Sequence, residues 1–395
     1  MEDTKLKAKA ELNLKLLMWI KIFNSTLFWL GIWVLYYLKF TDYAGIGLIE
    51  ATAFIIGVAL EIPAGITSDK FGHKTNLVLF GILTPISLIL FASANSLAAL
   101  MISTIIWRGS YAFFSGSFEA LIHESLQYLK KEDRYQSYIS KVEGLGLLTT
   151  AFSALVGGII WSYNFRLTLW LTVPFLMIAT VLSFKLTNFQ KENTQGESLI
   201  RSLKDGSRYI FKPNLRIVLL SLLGVMVLRD LFDQIFDALL KVSSGMSSQQ
   251  MGLVSFVSVL LPALASLAYS RMKKIHKNVD RNIKLLSIIT LVLSLPSIFI
   301  SKLVTAGSIT FRAIPGLLLD NTNIEKINKE VPSKHRSTAI SSYTFVKSLP
   351  YALLALPIGS AVDQFGANKV TFSFSLVSIA IYFTLTLIFK LKKDV

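Results

Sequence analysis

Cysteine is absent from this 395-residue sequence, which excludes disulfides, thiolate metal sites and cysteine nucleophiles. Charged residues are also scarce: they make up 16% of the chain, whereas soluble domains carry about 25%. A phosphate-cradling Gly-x-x-x-x-Gly-Lys loop is missing, so the chain encodes no nucleotide-driven pump of its own. The four histidines do not have the spacing of a metal-ligand set. We therefore expect no metal and no cofactor, and no nucleophile–base–acid constellation points to an enzyme.

Long apolar runs are abundant, and hydrophobic residues form 53% of the chain. Each run has about 20 residues, enough to cross a hydrocarbon core of about 30 Å. The pattern predicts twelve transmembrane helices, at 14–38, 44–67, 75–93, 97–124, 137–162, 166–186, 214–240, 250–270, 281–301, 303–325, 337–361 and 369–390.

The longest polar stretch divides these helices into two groups of six. We predict an N-terminal six-helix bundle at 1–186, a cytoplasmic linker at 187–213 and a C-terminal six-helix bundle at 214–395. Weak internal similarity between the halves favours a duplicated architecture. The predicted fold class is therefore an all-α membrane protein of two six-helix bundles related by a pseudo-two-fold axis.

The charge distribution predicts how the chain lies in the membrane. Its net charge is +16, and most of its 40 Lys and Arg residues fall in alternate loops and at the two termini. Basic residues accumulate on the cytoplasmic side of membrane proteins, so we expect a multi-pass protein of the cytoplasmic membrane with both termini inside. The basic excess suits contact with anionic lipid headgroups, and no nucleic-acid partner is expected.

The loop after the second predicted helix carries the most specific motif. It runs from Gly65 to Lys74 and places Asp69, Lys70 and Gly72 between these ends. The expected roles are a close helix contact at Gly65, the end of the helix at Asp69 and a tight turn at Gly72. An ordinary basic turn is the alternative. The loop resembles the signature loop of the major facilitator superfamily, which implies two six-helix halves and solute transport by alternating access.

Other motifs resemble the bacterial efflux-type branch of that superfamily. Glu61 precedes a proline and a small residue before the loop, and the fourth helix contains Arg108-Gly109 followed by Glu119 and Glu124. We expect Glu124 to pair with Lys70 or Lys74 as a latch, and Glu119 either to pair in the same way or to titrate. The expected gating residues are Glu61, Gly65, Asp69, Lys70, Gly72, Lys74, Glu119 and Glu124.

The fifth helix departs from the antiporter signature of that branch. Thr149, Ser153 and Ala154 stand where the signature has Gly, Gly and Pro, and only the closing pair Gly157-Gly158 matches. Small residues still permit tight helix packing, but this departure weakens the case for drug antiport.

Ionisable residues inside membrane helices are costly, by about 2.5–3.5 kcal/mol on insertion scales, and therefore mark cavities or partners. At about 100° per residue, the four charged residues of the seventh helix share one face about 100° wide. We expect this face to line water and to exchange protons. The alternative places Asp237 and Asp233 in the outer headgroup region. The predicted substrate- or proton-binding residues are Asn24, Glu50, Arg108, Arg229, Asp230, Asp233, Arg312 and Lys347.

Arg108 is the strongest of these predictions, as a cavity charge that contacts substrate or an acid such as Glu50. Arg312 and Lys347 have a structural alternative, in which they balance the acids of the seventh helix in salt bridges. Asp320 in the tenth helix is a further intramembrane acid.

Three functions fit the sequence. The favoured one is proton-coupled efflux of a small amphipathic or drug-like compound by a monomer, with the solute and protons as its partners. The second is a proton-coupled importer or facilitator of a polar nutrient such as a sugar. The third is a membrane receptor or scaffold that transports nothing.

Overall fold

The computed structural model describes residues 2–189, 208–209, 211–272, 278–332 and 335–391. The chain divides into two compact units. Unit 1 comprises Met1–Gly196 with Ser248–Phe256, and unit 2 comprises Glu197–Ser247 with Val257–Val395. Much of the predicted linker at 187–213 lies outside the described residues, so the predicted domain boundaries remain predictions.

Unit 1 is built from helices whose ends have local causes. At the start of the helix Tyr43–Phe71, the Asp42 carboxylate accepts a hydrogen bond from the Gly45 N–H. At the start of the helix Leu97–Phe114, the Ser96 hydroxyl accepts one from the Ala99 N–H. Gly72, at φ 84°, ends one helix and starts the next. The helices are α1 Glu2–Asn24, α2 Trp33–Tyr37, α3 Tyr43–Phe71, α4 His73–Ser93, α5 Leu97–Phe114, α6 Ser117–Tyr128, α7 Tyr135–Trp161 and α8 Leu167–Phe184.

Unit 2 contains an interrupted rod from Arg216 to Ser243. Two π-helical segments, Leu222–Met226 and Phe232–Phe236, separate three short α-helices. Such segments shift the side-chain register and often occur at functional sites. The helices are α9 Arg216–Ser221, α10 Val227–Leu231, α11 Asp237–Ser243, α12 Ser248–Met272, α13 Val279–Val292, α14 Lys302–Glu330, α15 Arg336–Phe365 and α16 Ala367–Leu391. The first turns of α12 belong to unit 1.

The predicted first helix, 14–38, is not continuous. It breaks between Asn24 and the 3-10 turn Leu30–Ile32. The Thr150 hydroxyl donates to the Ser25 carbonyl at 3.3 Å, and the Phe28 N–H donates to the Thr172 hydroxyl at 3.3 Å. At a helix break inside a membrane, side chains must replace the lost backbone hydrogen bonds, because lipid tails cannot donate or accept them.

The described residues include ten helices that are long and apolar enough to cross a membrane. The predicted first and seventh helices are not among them, because the first is broken and the seventh carries several charges and the two π segments. The all-helical prediction is confirmed within the described residues, and the count of twelve spans stays a prediction.

Candidate functional site

Glu50, which is buried, and Arg108, which is partly exposed, form an ion pair in unit 1. The Arg108 Nη2 lies 2.7 Å from Glu50 Oε2, so the predicted contact between α3 and α5 is present. The Tyr37 hydroxyl lies 3.4 Å from the other Glu50 oxygen and 2.7 Å from the Thr104 hydroxyl. Whether this pair binds substrate stays a prediction.

Aromatic rings continue from Arg108 towards the break after α1. Trp107 packs edge-to-face on Trp29 at 5.4 Å and lies 5.6 Å from the Tyr111 ring. The indole N–H of Trp29 and the amide oxygen of Asn24 are both buried, with no hydrogen-bond partner among the described residues. We call Trp29, Trp107 and Tyr111 the aromatic wall. Its rings meet at steep angles, 79° between the two tryptophans, and unsatisfied polar groups lie close to the helix break in sequence.

Lys21 and Glu143 form a second ion pair of unit 1, between α1 and α7, at 2.7 Å. The Lys21 ammonium also lies 5.7 Å from the Phe114 ring centroid. Gly146 leaves space for the lysine stem, because a Cβ there would approach Lys21 Cε to 2.7 Å. This pair was not predicted, although a lone base and a lone acid in neighbouring apolar runs are the sequence signal for one.

The signature loop is organised by His73. Its Nδ1 lies 2.7 Å from the Ser68 hydroxyl, and its Nε2 lies 3.4 Å from Glu124 Oε1. Asn76, one turn on, donates to the Ala64 carbonyl and to the Ser117 hydroxyl. These contacts join the end of α3, the start of α4 and α6. The latch between Glu124 and Lys70 or Lys74 stays a prediction, and His73 is a Glu124 partner that the sequence pattern did not predict.

The other predicted gating residues fall in different surroundings. Gly72 adopts the predicted turn at φ 84°, whereas α3 continues two residues past Asp69. A Cβ built on Gly65 would meet no described atom within 4 Å, so the expected close helix contact is not found among the described residues. Glu61 is exposed, and Glu119 has a buried carboxylate oxygen without a hydrogen-bond partner in the described part of the chain.

In unit 2, charges from three helices meet at Asp320 of α14. Its Oδ2 lies 3.4 Å from Arg229 Nη1 and 3.1 Å from Lys347 Nζ, and its Oδ1 accepts from the Tyr343 hydroxyl at 2.8 Å. Arg229 also pairs with Asp233 at 3.0 Å. Gly316 admits the arginine, because a Cβ there would lie 2.7 Å from Arg229 Nε.

Asp230 completes this group. It is buried, one of its carboxylate oxygens has no hydrogen-bond partner among the described residues, and Lys347 and Ser348 of α15 face it. We call the five charged residues the Asp320 cluster: Arg229, Asp230, Asp233, Asp320 and Lys347.

A second charge group of unit 2 surrounds Arg312. Its guanidinium pairs closely with Asp237 and lies 3.5 Å from the centroid of the Phe232 ring. Lys241, one turn after Asp237, is buried beside that carboxylate. Asp237 therefore has a buried cationic partner, whereas the alternative expected it in the outer headgroup region. Arg312 pairs with an acid of the seventh predicted helix, as the structural alternative described, whereas Lys347 pairs with Asp320 of the tenth.

The structure divides the charged residues of the seventh predicted helix between two ion-pair groups. The π segment Phe232–Phe236 contains Asp233 and ends just before Asp237, and the two acids belong to different groups. Arg229 and Asp233 join the Asp320 cluster, while Asp237 pairs with Arg312. A rotation of about 100° per residue holds for a regular α-helix, and the wider π turns change the directions in which the side chains point.

Asp320 and Tyr343 were missing from the predicted set, although Asp320 is where the cluster converges. An acid in the tenth apolar run was visible in the sequence. Its partners were not, because they depend on the packing of α10, α14 and α15. No group of His, Cys, Asp and Glu suited to a metal ion occurs in the described ranges.

Comparison with known proteins identifies the class as a membrane transporter. The model of the Major Facilitator Superfamily matches residues 16–353, and the chain belongs to that superfamily. It is 25% identical over 200 residues to the uncharacterized MFS-type transporter YxaM of Bacillus subtilis (strain 168). That match spans 49% of each chain, so it covers about half the length of this relative.

Solved structures of the same fold cover nearly the whole chain. The nucleoside transporter NupG superimposes with a TM-score of 0.70 at 15% identity, over 98% of this chain and 99% of that one. A POT family transporter in complex with 5-aminolevulinic acid gives 0.71 at 12% identity, over 96% and 95%. At these identities the likeness shows the fold, which confirms the predicted superfamily architecture.

Proposed function

We propose that this protein is a proton-coupled secondary transporter of a small polar solute in the cytoplasmic membrane. The observation that carries the proposal is the Asp320 cluster, in which five ionisable side chains from α10, α14, α15 and the neighbouring π segment gather inside an apolar helix bundle. Ionisable groups at membrane depth are costly and mark ion or substrate pathways. Both termini are proposed to be cytoplasmic, as the distribution of basic residues favours.

The polar chemistry of the cluster supports a polar solute. Its carboxylates, cations and the Tyr343 hydroxyl offer charged and hydrogen-bonding partners. The names of two proteins of the same fold, a nucleoside transporter and a transporter in complex with 5-aminolevulinic acid, also describe polar compounds. Protons are the natural coupling ion, because carboxylates that share few cations can take up and release them.

A second candidate is proton-coupled efflux of an amphipathic, drug-like compound. The aromatic wall of Trp29, Trp107 and Tyr111 favours it, because it places a cluster of apolar rings next to Arg108 in sequence on α5. The efflux-type motifs around Glu61 and Arg108 point the same way, whereas the degraded signature in α7 does not.

The proposal is tested with purified protein in lipid vesicles that contain a pH-sensitive dye. Nucleosides, amino acids, short peptides, sugars and amphipathic aromatic compounds are added in turn. We expect proton movement with one polar class, and none in empty vesicles or with Asp320→Asn protein. Proton movement with the amphipathic compounds alone would favour the second candidate. No movement with any class would contradict proton coupling.

A further inference from the structure

Three consecutive residues at the start of the predicted linker contact three different parts of unit 1. The first, Thr187, is held by Asn13 of α1, whose side-chain oxygen accepts from the Thr187 N–H at 2.9 Å and whose amide donates to the Thr187 carbonyl at 2.8 Å. The third, Phe189, packs on Tyr128 of α6, with the ring centroids 4.3 Å apart. Asn13 and Phe189 are buried, so the backbone on both sides of residue 188 is held in place.

Asn188, between these two residues, places its side chain in the turn at Gly72. Its amide nitrogen donates to the Phe71 carbonyl at the end of α3 at 2.9 Å, and its amide oxygen accepts from the Lys74 N–H in the first turn of α4 at 2.8 Å. The N-cap of α4 is Gly72, which has no side chain to accept a hydrogen bond. Asn188 therefore supplies, from a distant part of the chain, the acceptor that the first turn of a helix requires.

Gly72 has two separate reasons to be glycine. Its φ of 84° lies in the left-handed region, where a residue with a side chain is strained. A Cβ at this position would also lie 2.6 Å from the Asn188 Cγ and Nδ2 and 2.7 Å from its Oδ1. The signature loop thus leaves space for this amide. We call Thr187, Asn188 and Phe189 the linker anchor.

The turn at Gly72 also lies among the charged residues that are predicted to act in gating. Asp69 and Lys70 precede it closely, and Lys74 follows it. Because the turn connects the ends of two helices, its conformation sets the directions in which these side chains project. An exposed hydrogen bond ordinarily contributes little, since water competes for both groups. Here the neighbours of Asn188 are already ordered, so the two bonds require little further loss of conformational freedom.

We propose that Asn188 is a positioning residue of the transport cycle, because it bridges the ends of α3 and α4 and so holds the turn at Gly72 in one conformation. Transporters of this architecture open and close largely by rigid-body movement of their halves. A loosened connection between two helices converts part of such a movement into local deformation. The linker anchor thus makes the start of the linker and the signature loop one rigid part of unit 1. The inference applies to any solute and does not require proton coupling.

Hydrogen exchange at the Lys74 amide in the purified full-length protein tests the contact itself. Asn188→Ala should accelerate this exchange about fivefold or more, as expected for the loss of one hydrogen bond. Asn188→Asp keeps an acceptor for the Lys74 N–H, so the exchange should stay within about twofold of the wild type. The matched control is Asn164→Ala, because the exposed Asn164 caps the other end of α8 through the Arg166 N–H at 2.9 Å. It should leave exchange at Lys74 unchanged.

Distances between two spin labels test the role in the transport cycle and need no solute. Lys131→Cys in unit 1 and Lys329→Cys in unit 2 provide the only two thiols of the chain, and double electron–electron resonance reports which conformations are populated. We expect Asn188→Ala to change the ratio of these populations about threefold or more. Asn188→Asp should do the same, because a carboxylate cannot donate to the Phe71 carbonyl and the bridge is lost. Asn164→Ala should give the wild-type distribution.

Thermal unfolding gives an independent check of the space at Gly72. Gly72→Ala should lower the melting temperature less in the Asn188→Ala background than in the wild type, because the collision with the amide is gone and only the backbone strain remains. Additive losses would show that Asn188 does not occupy the turn, and would overturn the inference.

Unchanged Lys74 exchange in Asn188→Ala would overturn it as well. Faster exchange with a wild-type distance distribution would reduce Asn188 to a structural cap, and a wild-type distribution in Asn188→Asp would remove the bridge between α3 and α4; either result contradicts the inference. Transport without proton movement in vesicles, together with altered distances in both Asn188 variants, would support the inference and contradict the proposed function.

Discussion

Asp320 accepts contacts from Arg229, Lys347 and Tyr343 on two other elements of unit 2. Removal of one partner from a buried ion pair leaves an uncompensated charge, and this costs more than the pair itself contributes. The loss of this carboxylate therefore affects both the stability of the fold and the charge balance of the proposed site.

Asp320→Asn should lower the free energy of unfolding by about 3 kcal/mol and abolish transport. Adding Lys347→Met should recover much of the stability without recovering transport, because the lysine that lost its ion-pair partner is removed but the site is not rebuilt. Thermal unfolding and vesicle transport measure the two effects separately. Recovery of transport in the double variant would contradict a functional role for the cluster.

The Arg312–Asp237 pair provides the contrasting case. Arg312 is 2% exposed and packs on Phe232, which suits a structural role. Asp237→Asn should destabilise the protein by about 3 kcal/mol, because it removes the acid that faces both Arg312 and the buried Lys241. Arg312→Met should cost less and keep transport, because Lys241 still faces Asp237. If Arg312→Met is stable but inactive, Arg312 also takes part in transport.

At the scale of elements, the break after α1 depends on its neighbours. Gly157 of α7 packs directly on it, since a Cβ at that position would lie 1.6 Å from the Phe28 carbonyl oxygen. A backbone atom cannot move aside as a flexible side chain can. Gly157, near the end of the fifth predicted helix, therefore provides the space that the break after α1 occupies.

Gly157→Ala should cost at least about 2 kcal/mol by overpacking. Gly144→Ala is the matched control on the same helix, because its Cβ would meet no described atom within 4 Å. The control should be neutral or slightly stabilising, as alanine is the better helix former. Equal melting temperatures for the two variants would show that Gly157 does not hold the break in place.

The positions of most helices could be predicted because apolar length and turn residues are local signals. The break after α1 and the two π segments of unit 2 could not, since a break depends on partners such as Thr150 and Thr172, far away in sequence. The same holds for the charges. Arg108, Arg229 and Lys347 stood out as costly residues in apolar runs, but Asp320 emerged as a meeting point only from the packing of separate helices.

At the scale of the whole molecule, the absence of cysteine makes the topology directly measurable. A single cysteine introduced at any position is the only thiol in the chain. We expect Lys130→Cys and a cysteine near either terminus to react with a membrane-impermeant thiol reagent from the cytoplasmic side. Tyr163→Cys, at an 82% exposed position in the turn between α7 and α8, should react from the outside. Labelling of Lys130→Cys and Tyr163→Cys from the same side would contradict the predicted alternation of spans.

The central claim is that carboxylates of unit 2 couple solute movement to protons. The most direct measurement is solute accumulation in vesicles under an imposed pH gradient, with wild-type and Asp230→Asn protein side by side and Asp280→Asn, which changes an acid that pairs with Lys326 outside the cluster, as the control. The account predicts accumulation by the wild type and the control that a protonophore abolishes, and no accumulation by Asp230→Asn. Accumulation by Asp230→Asn equal to that of the wild type would contradict it.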